Sequence, residues 1–454
     1  MSIENYKEIA ELIENKKFVT LKQMFADMNT VDIAELIDEA TAAEAIVIFR
    51  LLGKEAAAEA FSYMDPDTRQ ALIKVFTDTE LKGVIDELYI DDVTEILEEM
   101  PANVVRRILK SVSPSDRKTI NQILNFPENS AGSLITTEFV ALKSSMTVEE
   151  AIAYIRKHGP DKITIYTCFV IDSRRRLQGV ITVKDLLLAD GEEIIGNIME
   201  TNVISAFTHD DREDAADTCQ KYDLTVLPVV DTENRLVGII TIDDILDVIE
   251  EETTEDIEKM AAISPGDKPY LKTGVFEIFK NRIPWLLILM ISSTFTGLII
   301  NSFESALASS IILTSFIPML MNSGGNSGSQ SSVTVIRSLA LGDIEFKNIF
   351  RIIFKEFRVS LICGVVLAVV NFGKIFLIDN LIFGEEVTVM IALVVSLTLL
   401  LTVIIAKIIG CSLPLLAEKL GADPAVMASP FITTIVDAVS LLIYFKIATV
   451  LLGI

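Results

Sequence analysis

Three textures of apolar and polar positions follow one another along the chain. Up to about residue 127, apolar residues recur at the spacing of a helix face in short runs. Examples are MDPDTRQALIKVF (64–76), YIDDVTEILEEMPANVVRRIL (89–109) and VSPSDRKTINQIL (112–124). Two of these open on Asp-Pro or Ser-Pro; proline fits the first helical turn, and the residue before it can cap the helix. The pattern predicts short amphipathic helices in series, stacked as a superhelix. From 133 to 250 the pattern becomes alternation, and it is duplicated. FVIDSRRRLQGVITVKDLL (169–187) repeats as PVVDTENRLVGIITIDDIL (228–246) at a constant offset of 59. Each copy reads as strand, helix, strand, turn, strand, helix, with its glycine at the turn.

From about 281 the chain is dominated by long apolar runs. Uncharged stretches cover 283–303, 305–336, 359–373, 387–406 and 424–445, the last broken only by Asp437. About 20 apolar residues cross the hydrocarbon core of a bilayer as a helix. The 359–373 stretch reaches that length by continuing past Lys374, so five spans are predicted. Basic residues fix the orientation. Ten fall before span one, between spans two and three, or between spans four and five; Lys407 and Lys419 are assigned to the last connection. Only Lys374 and Lys446 fall on the other side. The positive-inside rule then puts the N-terminal half in the cytoplasm and the C-terminus outside.

Charge sharpens this division. Residues 271–454 hold 12 of the 39 basic and 11 of the 64 acidic residues, leaving 27 basic against 53 acidic in residues 1–270. The first part carries −26 and the second +1. Such an acidic half attracts cations and repels nucleic acid, which is not expected as a partner. The opening MSIENYKEIAELIENKK lacks the apolar core of a secretory signal. Cys168, Cys219, Cys363 and Cys411 are too scattered for a zinc site or disulfide frame, and only two histidines are present. No phosphate-binding loop or nucleophile–base pair is evident, so an enzyme is not expected.

Three features carry candidate chemistry. DDILDVIEEETTEDIEKM (243–260) holds nine carboxylates. On a helix, Ile245, Val248, Ile249, Ile257 and Met260 share one side, and Asp244, Asp247, Glu251, Glu255 and Glu258 lie along another. Like charges at i,i+4 oppose a helix, and bound hard cations would relieve them; the alternative is a solvated acidic face. SFIPMLMNSGGNSGSQSSVTVIRSLALGD (315–343) places Gly324, Gly325, Asn326 and Gly328 inside the second apolar stretch. A weakened helix with open carbonyls suits a cation path, and close packing through small residues is the alternative. Asp437 lies 13 residues beyond Pro424, about 20 Å along a continuous helix. An ionisable residue at such depth reads as pore-lining by default.

Two resemblances follow from these residues. The phrase G-h-h-T-x-x-D, with h apolar, occurs at 179–185 and 238–244. It resembles paired CBS domains, in which the threonine and aspartate, here Thr182 and Asp185 or Thr241 and Asp244, hold an adenosine ribose. The alternative is a pair that only dimerises and transmits strain. Over the whole chain, EEETTEDIEKMA, GGN-x-G-x-Q and DP-A-x-x-x-x-P-x-x-T-x-x-x-D resemble the MgtE family of Mg²⁺ channels.

That resemblance implies a multidomain protein. An all-α superhelical N-terminal domain (1–127) precedes α+β tandem CBS domains (128–196 and 197–250). A connecting or plug helix (251–280) leads to an α-helical transmembrane domain of five helices (281–454). It implies a homodimeric multi-pass protein of the cell membrane, importing divalent cations through a pore on the two-fold axis. Asp437 would hold hydrated Mg²⁺ with help from Gly325, Asn326 and Gly328. Regulatory Mg²⁺ would bind Asp244, Asp247, Glu252, Glu255 and Asp256, with Asp211, Glu213 and Asp223 of the second CBS copy and Asp91 or Asp92 of the N-terminal domain. ATP or another adenosine nucleotide is a further expected ligand of the CBS pair. The competing reading is a membrane-anchored nucleotide sensor.

Overall fold

A computed structural model describes residues 3–266, 270–304, 308, 310–384 and 387–453. The chain divides into two compact units, Met1–Ile249 and Glu250–Ile454.

Among the described residues of the first unit, ten short helices run from Ile3 to Ile123. The third packs on the fifth, the fifth on the seventh and the seventh on the ninth, while the second packs on the fourth, the fourth on the sixth and the eighth on the tenth. Two interleaved rows of this kind make a superhelix around one core, in which Leu36, Ile48, Phe61, Leu72, Ile96 and Ile108 are buried. Thr41 with Glu44 and Thr77 with Glu80 form capping boxes, which satisfy orphan amides at two helix starts. Pro66 and Pro114 sit in the first turn of Pro66–Val75 and Pro114–Ile123. Ser113 caps as expected, accepting from the Asp116 amide at 3.2 Å. Asp65 does not cap; its own amide is taken by the Asp38 carboxylate at 3.1 Å.

Two three-stranded sheets follow. Ala141–Lys143 runs parallel to Thr167–Ile171, which pairs antiparallel with Leu177–Thr182. Ala206–Phe207, Val226–Val230 and Leu236–Thr241 repeat that arrangement. The duplication extends to a register shift at Val170/Ile171 and its counterpart Val229/Val230. The glycines are not at the turns. Arg175 (φ 63°) and Asn234 (φ 60°) take the left-handed turn position. Asp172 steadies the first turn by accepting from the Arg174 and Arg176 amides at 2.7 and 2.9 Å, and Asp231 steadies the second in the same way. Gly179 and Gly238 lie inside strands, where an added Cβ would sit 2.7 Å from the Glu200 carbonyl or 2.8 Å from that of Thr136. Their missing side chains let a further segment bridge to each strand, at Val180–Glu200 and Thr136–Ile239. The two hairpins also exchange bonds: the Leu177 amide donates to Asn234 at 3.0 Å and the Leu236 amide to Arg175 at 2.9 Å.

Helix Ile242–Met260 buries Ile245 and Val248 as expected. Ile257, assigned to the same side, is 59% exposed.

Among its described residues the second unit has five helices of more than 20 residues: Val275–Ser302, Ile317–Ala340, Ile349–Lys374, Val389–Lys419 and Ser429–Leu452. They are called the first to fifth long helices below. Four, all but the second, lie in stretches long and apolar enough to cross a membrane. The second has the length, but its Asn, Ser, Gly and Gln residues remove the apolar character. The expected second span opens at 305, and residues 305–307 and 309 lie outside the described residues. The second, fourth and fifth helices pack on one another, the third packs on the fourth and the first on the fifth.

Three expectations change here. The second helix is continuous through Gly324, Gly325 and Gly328. Helix packing explains these glycines, because an added Cβ would come within 2.7–2.9 Å of Thr402, Thr433 or Ile432. Lys407 is not in a connection: the fourth helix runs on through it and buries it to 6% exposure. The fifth helix does not begin at Pro424, because Pro424–Met427 is a separate 3-10 turn. Asp437 therefore stands about 12 Å from the helix start at Ser429, by the rise of 1.5 Å per residue, not about 20 Å.

Candidate cation and permeation sites

In the first unit, helix Ile90–Glu99 begins with Asp91 and Asp92. Their helix-start position is favourable for negative charge, but burial works against it. Burial, reinforced by Asp92, Asp244 and Glu138, pushes Asp91 up to about 8. Asp92 rises to about 6 through burial, against the Tyr89 amide. Asp244 rises to about 6 through burial, against its bond to Thr241 and with Asp243 adding to the rise. Glu95, one turn beyond Asp91, lies 3.8 Å from Arg69 with its side chain 63% exposed, and the surrounding acidic packing raises it despite that cation. The fold thus gathers carboxylates from residues 91–95 and 243–244, far apart in sequence. Among the described residues, Asp91 Oδ1 is buried with no hydrogen-bond partner. Arg69, 4% exposed, donates to Glu99 at 2.7 Å and lies 3.8 Å from Glu95. Sequence reasoning missed Glu95; its signal was the i,i+4 relation to Asp91.

Other expected carboxylates are kept apart. Asp211 caps helix Arg212–Tyr222, accepting from the Glu213 amide at 2.9 Å, whereas Asp223 terminates it in the left-handed conformation. An 11-residue helix separates the two ends by about 16 Å. One ion cannot bridge them within a chain.

In the second unit, Glu255 and Asp256 meet Asp423, which sequence reasoning did not single out. Lys259 pairs with Glu255 and, at 2.7 Å, with Asp423. Burial opposes its charge, but these two carboxylates outweigh it and hold the amine above its ordinary value. Asp256 is raised by burial and by Asp423. Glu252 adds to that field. Among the described residues, no three His, Cys, Asp or Glu side chains converge to chelate a bare ion.

The second long helix presents two contrasting faces. Gly324, Gly325, Ser327 and Gly328 are buried, while Asn322, Asn326 and Gln330, spaced i, i+4 and i+8, are exposed. Asn326 Nδ2 donates to Asn322 Oδ1 at 2.9 Å. Against the fifth helix, Gly324 lies by Val436 and Ser440, Gly325 by Thr433, and Gly328 by Ile432 and Val436. That antiparallel register brings half-buried Asp437 level with Gly324 and Gly325, between Asn322 and Asn326. Asn322 is the residue missed here, although the four-residue repeat of amides is visible in the sequence.

The two threonine–aspartate motifs are local caps. Thr182 Oγ1 and the Thr182 amide both donate to the Asp185 carboxylate, completing a capping box. Thr241 Oγ1 donates to Asp244 at 2.8 Å.

Family comparisons agree with this order of parts. Residues 28–129 match the MgtE intracellular N domain, 131–192 and 195–251 match CBS domains, and 317–447 match the divalent cation transporter domain named MgtE. The magnesium transporter MgtE of Thermus thermophilus is 35% identical over 448 residues, 98% of each chain. The chain belongs to the MgtE family. The Bacillus subtilis magnesium transporter MgtE is 33% identical, covering 92% of this chain and 93% of its own. These MgtE relatives are transporters, not enzymes. Among solved structures, the cytosolic domain of the Mg²⁺ channel MgtE in complex with ATP is similar with TM-score 0.51 and 34% identity. The match covers 54% of this chain and 99% of that one. The soluble part of a magnesium transporter also matches with TM-score 0.51, at 26% identity over 55% of this chain and 98% of that one.

Proposed function

We propose that this MgtE-family transporter is a homodimeric channel that imports Mg²⁺ through a path lined by the second and fifth long helices. The observation that carries the reading is the amide stripe of Asn322, Asn326 and Gln330, exposed in one chain and level with Asp437. Mg²⁺ gives up water reluctantly, so amides and a carboxylate acting through water suit it better than a tight cage. Asp437 supplies the charge, Asn326 the polar contact, and Gly325 and Gly328 the close backbone approach that seats the second helix. On this reading the pore lies on the two-fold axis, residues 1–127, 128–196 and 197–250 are cytoplasmic sensing domains, and 251–280 is the connecting plug. The five spans of 281–454 then leave the C-terminus outside.

Gating follows from the carboxylates. Asp91, Asp92, Asp244 and Asp247 form one regulatory set, Glu252, Glu255 and Asp256 a second, and Asp211, Glu213 and Asp223 contribute separately. The residues of the first set fit a divalent cation, because a buried oxygen of Asp91 lacks a partner and Asp92, Asp244 and Glu138 add negative charge around it. Bound Mg²⁺ supplies positive charge that lets these groups ionise together. Without it they repel, so the cation favours the arrangement that binds it more tightly, which is the closed one. The relative solved with ATP supports adenosine-nucleotide binding by the CBS pair here, with Thr182, Asp185, Thr241 and Asp244 as the contacts.

Mg²⁺ flux into liposomes holding the purified protein tests the proposal. Flux by the wild type that Asp437→Ala abolishes supports channel and residue together. Flux by neither overturns the channel reading in favour of the anchored nucleotide sensor.

A further inference from the structure

A buried lysine, a buried serine and a partly buried glutamate sit one turn from a close backbone approach in the second unit. Ser331 on the second long helix is 2% exposed and Lys407 on the fourth is 6% exposed. Ser331 Oγ donates to Glu356 Oε2 on the third helix at 2.6 Å and accepts from Lys407 Nζ at 3.3 Å. The ammonium and carboxylate are 3.8 Å apart, with 8% and 16% of their side chains exposed. The hydroxyl therefore sits between opposite charges, bonded to both. Three residues before Ser331 is Gly328, and three after Lys407 is Gly410. An added Cβ on Gly410 would lie 2.2 Å from the Gly328 carbonyl, so the two helices touch there through backbone.

A serine hydroxyl alone would be satisfied by its own helix, as at Ser360, which donates to Phe357. Ser331 reaches across to two other helices. An ionisable side chain within a membrane helix is costly and pairs with a partner when present. Placing the two charges on the third and fourth helices gives a directional hold: rotation or sliding of the second helix breaks both bonds at once. Hydrophobic packing at the same place would permit small rotations.

We infer that Lys407, Ser331 and Glu356 form a charged clamp that sets the rotation of the second long helix, and hence the presentation of Asn322 and Asn326 to the ion path. All three are positioning residues. The inference rests on the reading of that helix as pore-lining, and its test must separate the two. Asn326→Cys provides a probe that does not depend on transport: its labelling rate by a water-soluble thiosulfonate reports how the helix face is presented. The native cysteines are measured as background.

Lys407→Met and Glu356→Gln, each in the Asn326→Cys protein, should change the labelling rate at least fivefold. The double variant, which removes both charged partners of Ser331, should differ from the starting protein at least as much as the singles. Ser331→Ala, which removes little volume, should give an intermediate change. Mg²⁺ flux of the same variants without the added cysteine should fall about tenfold for either single change and stay low in the double. Unaltered labelling in Ser331→Ala and Glu356→Gln overturns the clamp, as does a double variant that labels at the starting rate. If Lys407→Met fails to fold, Ser331→Ala and Glu356→Gln alone decide. If Asp437→Ala leaves flux intact, the pore reading fails while the labelling result still judges the clamp.

Discussion

Gly410→Ala subjects the contact between the second and fourth helices to a direct test. The new Cβ would lie 2.2, 2.9 and 3.1 Å from the O, C and Cα of Gly328, where ordinary contact begins at 3.4 Å. Every atom struck is backbone, so no side chain can swing aside. The helices must separate by ~1 Å, or one must rotate, at the level of the clamp. Overpacking of this kind costs about 1–3 kcal/mol, while alanine in place of glycine inside a helix returns up to about 1 kcal/mol. The net loss is about 1–2 kcal/mol, enough to lower the Tm by several degrees. Gly373→Ala is the matched control, because nothing lies within 4 Å of its Cβ; it should be neutral or slightly stabilising. The assay is thermal unfolding of both full-length variants in detergent, with Mg²⁺ flux in liposomes as the second readout. Gly410→Ala should lose both stability and flux. Equal Tm and equal flux in the two variants would show that the backbone contact constrains nothing.

Three further outcomes follow from the first unit and the amide stripe. The folded values of Asp91, Asp92 and Asp244, about 8, 6 and 6, lie above the unfolded value of about 4. Their contribution to stability is therefore full below about pH 4 and is lost as the pH rises through 6 to 8. In chelator the first unit should melt higher at pH 5 than at pH 8, and Asp91→Asn with Asp92→Asn should flatten that difference, as read by calorimetry. Arg69→Met strips the carboxylate of Glu99 of its buried partner and should destabilise the first unit by about 3 kcal/mol, the low end for a broken buried pair because Glu99 is partly solvated. A denaturation midpoint within error of the wild type refutes it. Asn326→Leu should reduce Mg²⁺ flux more than tenfold with little change in Tm, since its side chain is exposed in the single chain; undiminished flux removes the amide stripe from the path.

The duplication could be read from sequence because Asp172, Gly179, Thr182 and Asp185 each recur at one offset, which pins register without any structure. The same pattern misled about where the chain turns. A glycine between alternating residues looks like a turn, yet Gly179 and Gly238 answer to backbone segments from residues 200 and 136 that no local pattern announces. Asp437 was identifiable as a lone carboxylate in an apolar run, but its depth depends on the break at Ala428, where no glycine marks it. Lys407 looked like the end of a span because a lysine normally prefers water; only the partners at 331 and 356, distant in sequence, keep it inside. The gathering of Asp91 with Asp244 likewise arises from long-range packing within the first unit.

The reciprocal bonds between the two hairpins carry one more consequence. Each turn residue in the left-handed conformation, Arg175 or Asn234, offers its carbonyl to the opening strand residue of the other copy. Neither copy keeps its full complement of edge bonds without the other, so the pair should melt as a single cooperative body. Amides at Leu177 and Leu236 should exchange with solvent at one common rate, set by the opening of both modules together.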